Sequence, residues 1–423
     1  MAVLQPFSAL RPTPELAAHV AAPPYDVVDA AQARTLVANN PVSFLHVSRP
    51  EADLAAGTDP YAAAVHQRGR RNLEQMVATG VLVADPEPLL YVYRQQMGVA
   101  AQTGVVGCVS VAEYDSGVIR THEHTRRDKE DDRVAHIDAL DAHDEPVFLL
   151  RPPSAEITAL VEKVTAGAPS YDFVSADAVR HVFWTVTDPG AVNELVHEFG
   201  ALTRLYVADG HHRSAAAARV GRQRRAAAGS SDRATGPTTQ LPSIPEYDVF
   251  PAVVFAQDEV TIMAYHRVVA DLHGWDVDGL VSALASAFEV QPQADPVTPQ
   301  QRGQFGMYVQ GCWYSLSARP GTVDESDPVG RLDVSVLQDR VLDPILGIRD
   351  PRTDPRIGFV GGIRGTEELV RLVDSGNQSV AFSLHPTSVA DLVELADHGE
   401  VMPPKSTWFE PKLRSGLFVH RLE

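Results

Sequence analysis

Residues 205–220 read LYVADGHHRSAAAARV and gather a carboxylate (Asp209), two imidazoles (His211 and His212), a guanidinium (Arg213) and a hydroxyl (Ser214) into one short stretch. The apolar run before Asp209 suits a strand, Asp209-Gly210 is a turn signal, and the alanine-rich stretch beyond Arg213 is a strong helix former. Strand, polar loop and helix N-terminus are therefore predicted in that order. The first N–H groups of a helix lack intrahelical partners and carry partial positive charge, so they attract anions. With Arg213 and two imidazoles beside them, phosphate is the expected guest, and Gly210 and Ser214 are counted with the residues that would hold it. The plainer alternative is an ordinary Asp-Gly turn with Ser214 as a helix cap and idle surface histidines.

The polar run Thr121 to Pro146, THEHTRRDKEDDRVAHIDALDAHDEP, is a second chemical centre. It concentrates His122, His124, His136 and His143 with Glu123, Lys129, Asp132 and Arg133. If 121–125 continues a preceding strand, alternation puts Glu123 on one face and His122 with His124 on the other. Three roles compete. His-x-His followed by a later histidine is compatible with structural zinc, although the spacing matches no recognised zinc signature. A solvated, salt-bridged loop is the bland reading. The third is a phosphate and substrate site, with Lys129 and Arg133 on phosphate oxygens and Glu123 as an acid/base or magnesium-linked carboxylate.

Smaller motifs are candidates to close such a pocket. Lys405, Ser406, Thr407 and Lys412 lie in PPKSTWFEPK, where hydroxyls, cations and aromatic rings suit an anion or a stacked base, and where surface packing is the alternative. His266 and Arg267 follow a predicted strand, and Tyr25 and Asp26 sit in a proline-fixed turn; these are candidate pocket walls. The chain has no P-loop, no Rossmann glycine fingerprint, no His-Glu-x-x-His pair and no Gly-x-Ser-x-Gly elbow.

The elements that must position these groups are mixed α and β. Gln102 to Asp115 reads as a strand with LLYVYRQQ before it as a hairpin partner, and the stretch from Pro60 to Leu82 reads as one long helix whose Arg68, Arg70 and Arg71 form a solvated face. Residues 229–246 have the Gly/Ser/Thr/Pro composition of a linker, which divides the chain into 1–228, the phosphate-binding half, and 247–423, a second α/β half. There, FPAVVFAQDEVTIMAYHRVV offers two strands around Gln257-Asp258-Glu259, and VDGLVSALASAF a helix.

With 423 residues, 44% of them hydrophobic, the chain can bury substantial cores. The formal charge is −19, from 36 basic and 55 acidic side chains, and no long basic stripe is present, which argues against nucleic acid as a partner. No run approaches the roughly 18–20 apolar residues that span a bilayer, so no membrane partner is expected. The N-terminal residues do not read as a secretory signal, and two distant cysteines suit a reducing, cytoplasmic setting, with Cys108 as a buried strand thiol.

The DGHHR box followed by an alanine-rich helix resembles the phosphate-binding box of the ParB/sulfiredoxin-like fold. That superfamily includes partition proteins that bind CTP, sulfiredoxins and free serine kinases. Sulfiredoxins need a cysteine in the box, which this chain lacks, and partition proteins carry a Glu-Arg-Arg version. Free serine kinases are similar in an Asp-Gly-x-His-Arg form whose aspartate is thought to deprotonate the substrate hydroxyl. Over nearly the whole chain, APPYDVV (22–28), RTHEHTRRDKEDDR (120–133), YVADGHHR, YHRVV (265–269), LDPILGI (342–348) and MPPKSTWFEPK (402–412) occur in order and together resemble the family called domain of unknown function 1015, often named ParB-like.

The resulting expectation is a mixed α/β protein with a ParB/sulfiredoxin-like element in its first half. It would act as a nucleotide-dependent kinase of a small hydroxylated metabolite, most like the free serine kinases. Asp209, Glu123 and His212 would be catalytic, with Mg2+ and ATP, ADP or CTP as cofactors; the sequence names neither the metal ligands nor the oligomeric state. A phosphoester hydrolase and a non-catalytic nucleotide-binding module are the alternatives. The charge balance predicts no sub-micromolar affinity for duplex DNA at physiological salt. A salt titration against mixed-sequence DNA checks this, and tight binding at physiological salt would restore the partition-protein analogy.

Overall fold

The structure is a computed structural model and describes residues 2–228 and 244–423. The chain forms two compact units, Met1–Val260 with Pro411–Glu423 and, separately, Thr261–Glu410.

The first unit is built on an eight-stranded mixed sheet. Its strands in chain order are β1 (Leu90–Met97), β2 (Ala100–Ser110), β3 (Ile119–Arg120), β4 (Val147–Arg151), β5 (Tyr171–Val174), β6 (Arg180–Val186), β7 (Leu205–Asp209) and β8 (Val249–Ala256). Across the sheet the order is β3-β7-β4-β8-β2-β1-β6-β5. The β7–β3 and β8–β4 pairs are parallel and the others antiparallel. Every residue of β4 and β8 is buried, which explains why both read as continuous apolar runs rather than alternating ones.

Helices α1 (Ala63–Ala78), α2 (Arg127–Leu140), α3 (Ala155–Thr165), α4 (Pro189–Ala201) and α5 (His211–Ala227) belong to this unit. Ile157 and Val161 of α3 and Leu195 and Phe199 of α4 join the sheet's core. Ser154 caps α3 by accepting from the Ile157 N–H at 3.2 Å, and Asp188 caps α4 with Pro189 at the first helical position.

Helix α5 is set between two surfaces. Ala217 and Ala218 pack in the sheet core with Val207 and Ile119, while Ala216 and Val220 meet Val134 and Ile137 of α2. All four residues Ala215 to Ala218 are buried. Methyl groups on every side let the helix backbone approach both neighbours, so the alanine run reflects packing as much as helix propensity.

The second unit carries an antiparallel six-stranded sheet, β9 (Tyr265–Val269), β10 (Phe288–Gln293), β11 (Gln304–Val309), β12 (Cys312–Ala318), β13 (Ile357–Gly361) and β14 (Val380–Leu384), in the order β10-β12-β11-β14-β9-β13. Its core includes Val268, Tyr308, Trp313 and Leu369.

The mixed α/β class, the β1–β2 hairpin, the long helix α1, the helix at 277–284 and the burial of Cys108 agree with the sequence reading. Other expectations are corrected. The expected division at 229–246, whose residues 229–243 lie outside the described ones, is displaced: β8 is an interior strand of the first sheet, so the units part at Val260 and residues 411–423 return to the first. The strand expected over 102–115 ends at Ser110, and 111–115 is helical. Residues 121–125 do not extend β3, and the polar run beyond contains the 14-residue helix α2 rather than a loop. The Arg68 side chain of α1 is not simply solvated, since it donates to Asp53 at 3.2 Å. Among the described residues no helix is long and apolar enough to cross a membrane.

Gly221 of α5 is a packing requirement. A Cβ there would lie 2.6 Å from the Tyr247 carbonyl oxygen. Ala improves helix propensity by about 1 kcal/mol, but a backbone carbonyl cannot swing aside, and overpacking costs about 1–3 kcal/mol. Gly221→Ala is therefore expected to lower stability by about 1 kcal/mol net in urea unfolding; a stabilised variant would show that the helix has room to move.

Candidate functional site

Asp209 ends β7 at an irregularity in the sheet. Val207 is paired with Leu149 and Asp209 with Phe148, so Ala208 is the extra residue of a bulge that re-aims the carboxylate at the strand's end. Gly210 follows with φ +96°, a left-handed conformation that a side-chain-bearing residue rarely adopts, and α5 begins at once with His211. A Cβ on Gly210 would also lie 3.0 Å from Arg213 Cζ. The histidines and Arg213 are thus the first turn of the helix itself, and the expected polar loop contracts to a single glycine.

The Asp209 side chain, 25% exposed, lies 3.0 Å from Lys412 Nζ and 3.6 Å from Arg213 Nη2. Burial opposes its ionisation, but Lys412 and Arg213 together outweigh it and hold the carboxyl far below the usual carboxylate range. Arg213 also donates to the Pro146 carbonyl. Burial works against its charge too, and the surrounding Asp26, Asp209 and Glu145 more than restore it.

The imidazoles here are neutral. Burial and the neighbouring His122 push His211 well below the ordinary histidine value, and burial pushes His122 down to about 4. Their rings meet edge to face with centroids 4.4 Å apart, and Glu123 Oε2 lies 3.9 Å from His211 Nδ1. His212 is less buried and is also lowered, first by burial. The buried His211 Nε2 and His212 Nδ1 have no hydrogen-bond partner among the described residues.

The family described as protein of unknown function (DUF1015) matches residues 4–335. The chain belongs to that family. No curated protein matches it. Among solved structures it is similar to a free serine kinase variant in complex with AMP, at 13% identity, covering 72% of this chain and 87% of that one, with a TM-score of 0.35. It is also similar to a conserved hypothetical protein from Pyrococcus furiosus, at 13% identity over 73% of this chain and 93% of that one, TM-score 0.34. A third is SbnI from Staphylococcus aureus with its C-terminus truncated, at 13% identity, 72% and 82% coverage and TM-score 0.36. These are distant likenesses, and the reading of the DUF1015 site rests on its own residues.

The structure brings Asp209, Gly210, His211, Arg213, His122 and Glu123 together. Tyr25 and Asp26 join them: Arg133 stacks on the Tyr25 ring at 4.0 Å, and Asp26 is among the charges acting on Arg213 and His212. Lys129 lies near enough to depress His212 and donates to the Tyr61 hydroxyl at 2.7 Å.

Several candidates have other work. Ser214 is fully buried and donates to the His211 carbonyl at 3.1 Å, so its hydroxyl faces neither solvent nor a ligand. Arg133 is buried and paired with Asp132 at 2.7 Å. The four histidines of the polar run part company: His122 meets His211, His136 reaches Asp144 at 3.0 Å, His143 stacks with His420, and His124 is exposed. No group of three or more metal-ligating side chains converges among the described residues.

Lys405, Ser406, Thr407, His266 and Arg267 belong to the second unit. Arg267 is buried and donates to the carbonyls of Tyr265, Pro404 and Lys405, which fixes the loop carrying Lys405 at φ +58°. Ser406 donates to the Pro403 carbonyl at 2.6 Å, and His266 accepts from the Leu384 N–H at 3.2 Å. Of the PPKSTWFEPK motif, Pro411 and Lys412 lie in the first unit, where Lys412 pairs with Asp209.

Sequence reasoning missed Glu145 and underrated Lys412. Glu145 is buried, accepts from the Tyr25 N–H at 2.9 Å and the Ser415 hydroxyl at 2.8 Å, and is pushed up to about 7 by burial and the adjacent Asp144. Its one local signal was its place beside Pro146, whose carbonyl receives Arg213. Gly210→Ala is expected to disrupt the site more than the fold. For the phosphoryl site proposed below, calorimetric affinity for a nucleotide should fall at least about tenfold when this charge-assisted hydrogen bond is displaced, and unchanged affinity would mean that Arg213 need not hold this position.

Proposed function

We propose that this site binds a phosphoryl group and transfers it from a nucleotide to the hydroxyl of a small metabolite, as a free serine kinase does. The observation that supports this best is the Asp209 carboxylate held between Lys412 and Arg213 at the start of α5. Two cations and unpaired helix N–H groups suit phosphoryl oxygens, and the carboxylate beside them suits the attacking hydroxyl.

The depressed Asp209 carboxyl is a weak base while both cations face it. An arriving phosphoryl group competes for Lys412 and Arg213, and as they turn to its oxygens Asp209 regains basicity. The hydroxyl then donates its hydrogen bond to Asp209 and attacks phosphorus. As the new O–P bond forms and the bond to the nucleotide breaks, the proton passes to Asp209 and the electron pair leaves on the nucleotide oxygen. Because phosphoryl transfer has a loose transition state, positioning and charge carry most of the catalysis and the proton moves late. Neutral His211 and His212 add hydrogen-bonding atoms without adding charge. The exposed carboxylates Glu123 and Asp26 would face a magnesium ion arriving with the nucleotide, which would supply charge neutralisation.

A phosphoester hydrolase is the second reading, favoured by the partial exposure of Asp209, which admits water to the same carboxylate. Incubation with magnesium and ATP, ADP or CTP against serine and other small alcohols, followed by mass spectrometry, separates the readings. A kinase consumes donor only with acceptor, a hydrolase releases phosphate from a phospho-metabolite alone, and a binding module shows affinity without turnover.

Asp209→Asn is expected to keep the fold and lower turnover by about 10²- to 10⁴-fold, the range of a positioned base; full activity would remove Asp209 from the mechanism, because an amide cannot take the proton. Arg213→Ala should weaken nucleotide binding by about 1.5–3 kcal/mol if its contact is direct. Calorimetry reads it, and an unchanged affinity would place the phosphate elsewhere.

A further inference from the structure

Arg213 also lines a small cavity of about 20 Å3, together with Arg133, His143, Asp144, Glu145 and Phe250, among others. A cavity needs roughly 10–15 Å3 to hold a water molecule, and the water needs two to four polar partners. Four buried polar atoms of the lining residues have no hydrogen-bond partner among the described residues: Arg133 Nη1, His143 Nε2, Glu145 Oε2 and Arg213 Nε.

Their chemistry is complementary. The two guanidinium nitrogens can only donate. Ionised Glu145 Oε2 carries no proton and can only accept, and Oε1 already takes the Tyr25 N–H and the Ser415 hydroxyl. Burial keeps His143 neutral, at about 3, and its other ring nitrogen faces the Val249 carbonyl, which leaves Nε2 as a lone pair. One water, accepting twice and donating twice, matches the two donors and two acceptors. A cation is opposed by two guanidiniums, an anion by Asp144 and Glu145, and an empty space would leave four buried polar groups uncompensated.

We propose that this cavity is a one-water site and that Glu145, acting through that water, is the residue that positions Arg213. The consequence for catalysis rests on the reading of Arg213 as a phosphoryl ligand; the water site does not. Arg213 is then fixed at three edges: Nη1 by the Pro146 carbonyl, Nε by the water, and Nη2 toward Asp209 and the incoming anion. Protonating Glu145 turns an acceptor of the water into a donor and breaks the pattern. Glu145 is open to that change near neutral pH, because burial and Asp144 raise it to about 7. The groups around it are Asp144, His143, Arg133, His136, Arg213, Tyr25 and Asp26, with His420 stacked beyond His143.

Two measurements test this. A crystal structure of the full chain at about 1.5 Å, grown above pH 7.5, should show one isolated water within hydrogen-bonding distance of all four atoms; an empty cavity, or Glu145 bonded directly to Arg213, overturns the proposal. Thermal unfolding of wild type and Glu145→Gln across pH 5–8 is the second. A carboxyl raised in the fold is ionised first in the unfolded chain, so its contribution to wild-type stability falls as pH rises from its unfolded value near 4.5 toward 7. The difference in Tm, variant minus wild type, should therefore grow more positive over that window. A difference that stays flat overturns the role given to Glu145, and if the variant fails to fold, the wild-type crystal structure decides alone. Calorimetry with inorganic sulfate separates this from the functional reading: a protein that shows the water and the Tm trend but binds no sulfate contradicts the phosphoryl site and leaves the water site standing.

Discussion

The ion pair between Asp209 and Lys412 is the contact on which the candidate site depends. It joins residues 203 positions apart in sequence, and it requires that the chain, after building the whole second unit, return to the first with residues 411–423. That return is well anchored: Gln95 and Gln102 donate to the Lys412 and Pro411 carbonyls, and Arg414 reaches Ser175, Asp177 and His181. Lys412 is therefore delivered by a braced segment rather than by a flexible tail, and a braced cation loses less freedom when it exchanges a carboxylate for a phosphoryl oxygen.

The burial of so many charges around α5 needs a physical account, because desolvating an ion costs several kcal/mol unless it is paired and hydrogen-bonded. The structure meets that cost by alternation: Asp132 faces Arg133, Asp144 faces His136, and Asp209 faces both Arg213 and Lys412. Glu145 is the member whose ionised form is worst served, since one oxygen takes two donors and the other takes none among the described residues. An acid left partly unsatisfied beside a ligand-facing arginine is the natural place for protonation to be felt.

How much of this was legible in the sequence differs by element. The strand, glycine turn and alanine-rich helix of 205–227 were legible because apolar run, turn residues and helix propensity all agree there. Helix α2 was not, because its buried face carries Asp132, Arg133 and His136 beside Val134, Ile137 and Leu140, which erases the apolar periodicity that marks a helix. Strand β8 was legible as a strand but not as a member of the first sheet, since an apolar run does not name its partners. Within the site, Asp209, His211 and Arg213 were found because they are adjacent, whereas Lys412 and Glu145 come from segments that only the tertiary fold brings near. Ser214 misled for the opposite reason: adjacency suggested a ligand, and the helical turn instead pointed it into the core.

The overall charge of −19 would repel an anionic substrate if it acted at long range, yet in physiological salt the potential of distant surface carboxylates decays over about 8 Å. What an approaching phosphate meets is therefore local: Arg213 and Lys412 at the end of β7, with Lys129 close by, against Asp209 and the exposed Asp26 and Glu123. The neutral state of His122 and His211 matters in this balance. Charged, they would gather an anion more strongly but would also hold it after reaction and pull Asp209 further from basicity. Burial keeps them uncharged, so beside Asp209 the positive charge comes from Arg213 and Lys412, both already facing that carboxylate. On the function proposed here, the same ion pair that makes Asp209 a weak base would make its activation conditional on a phosphoryl group being present.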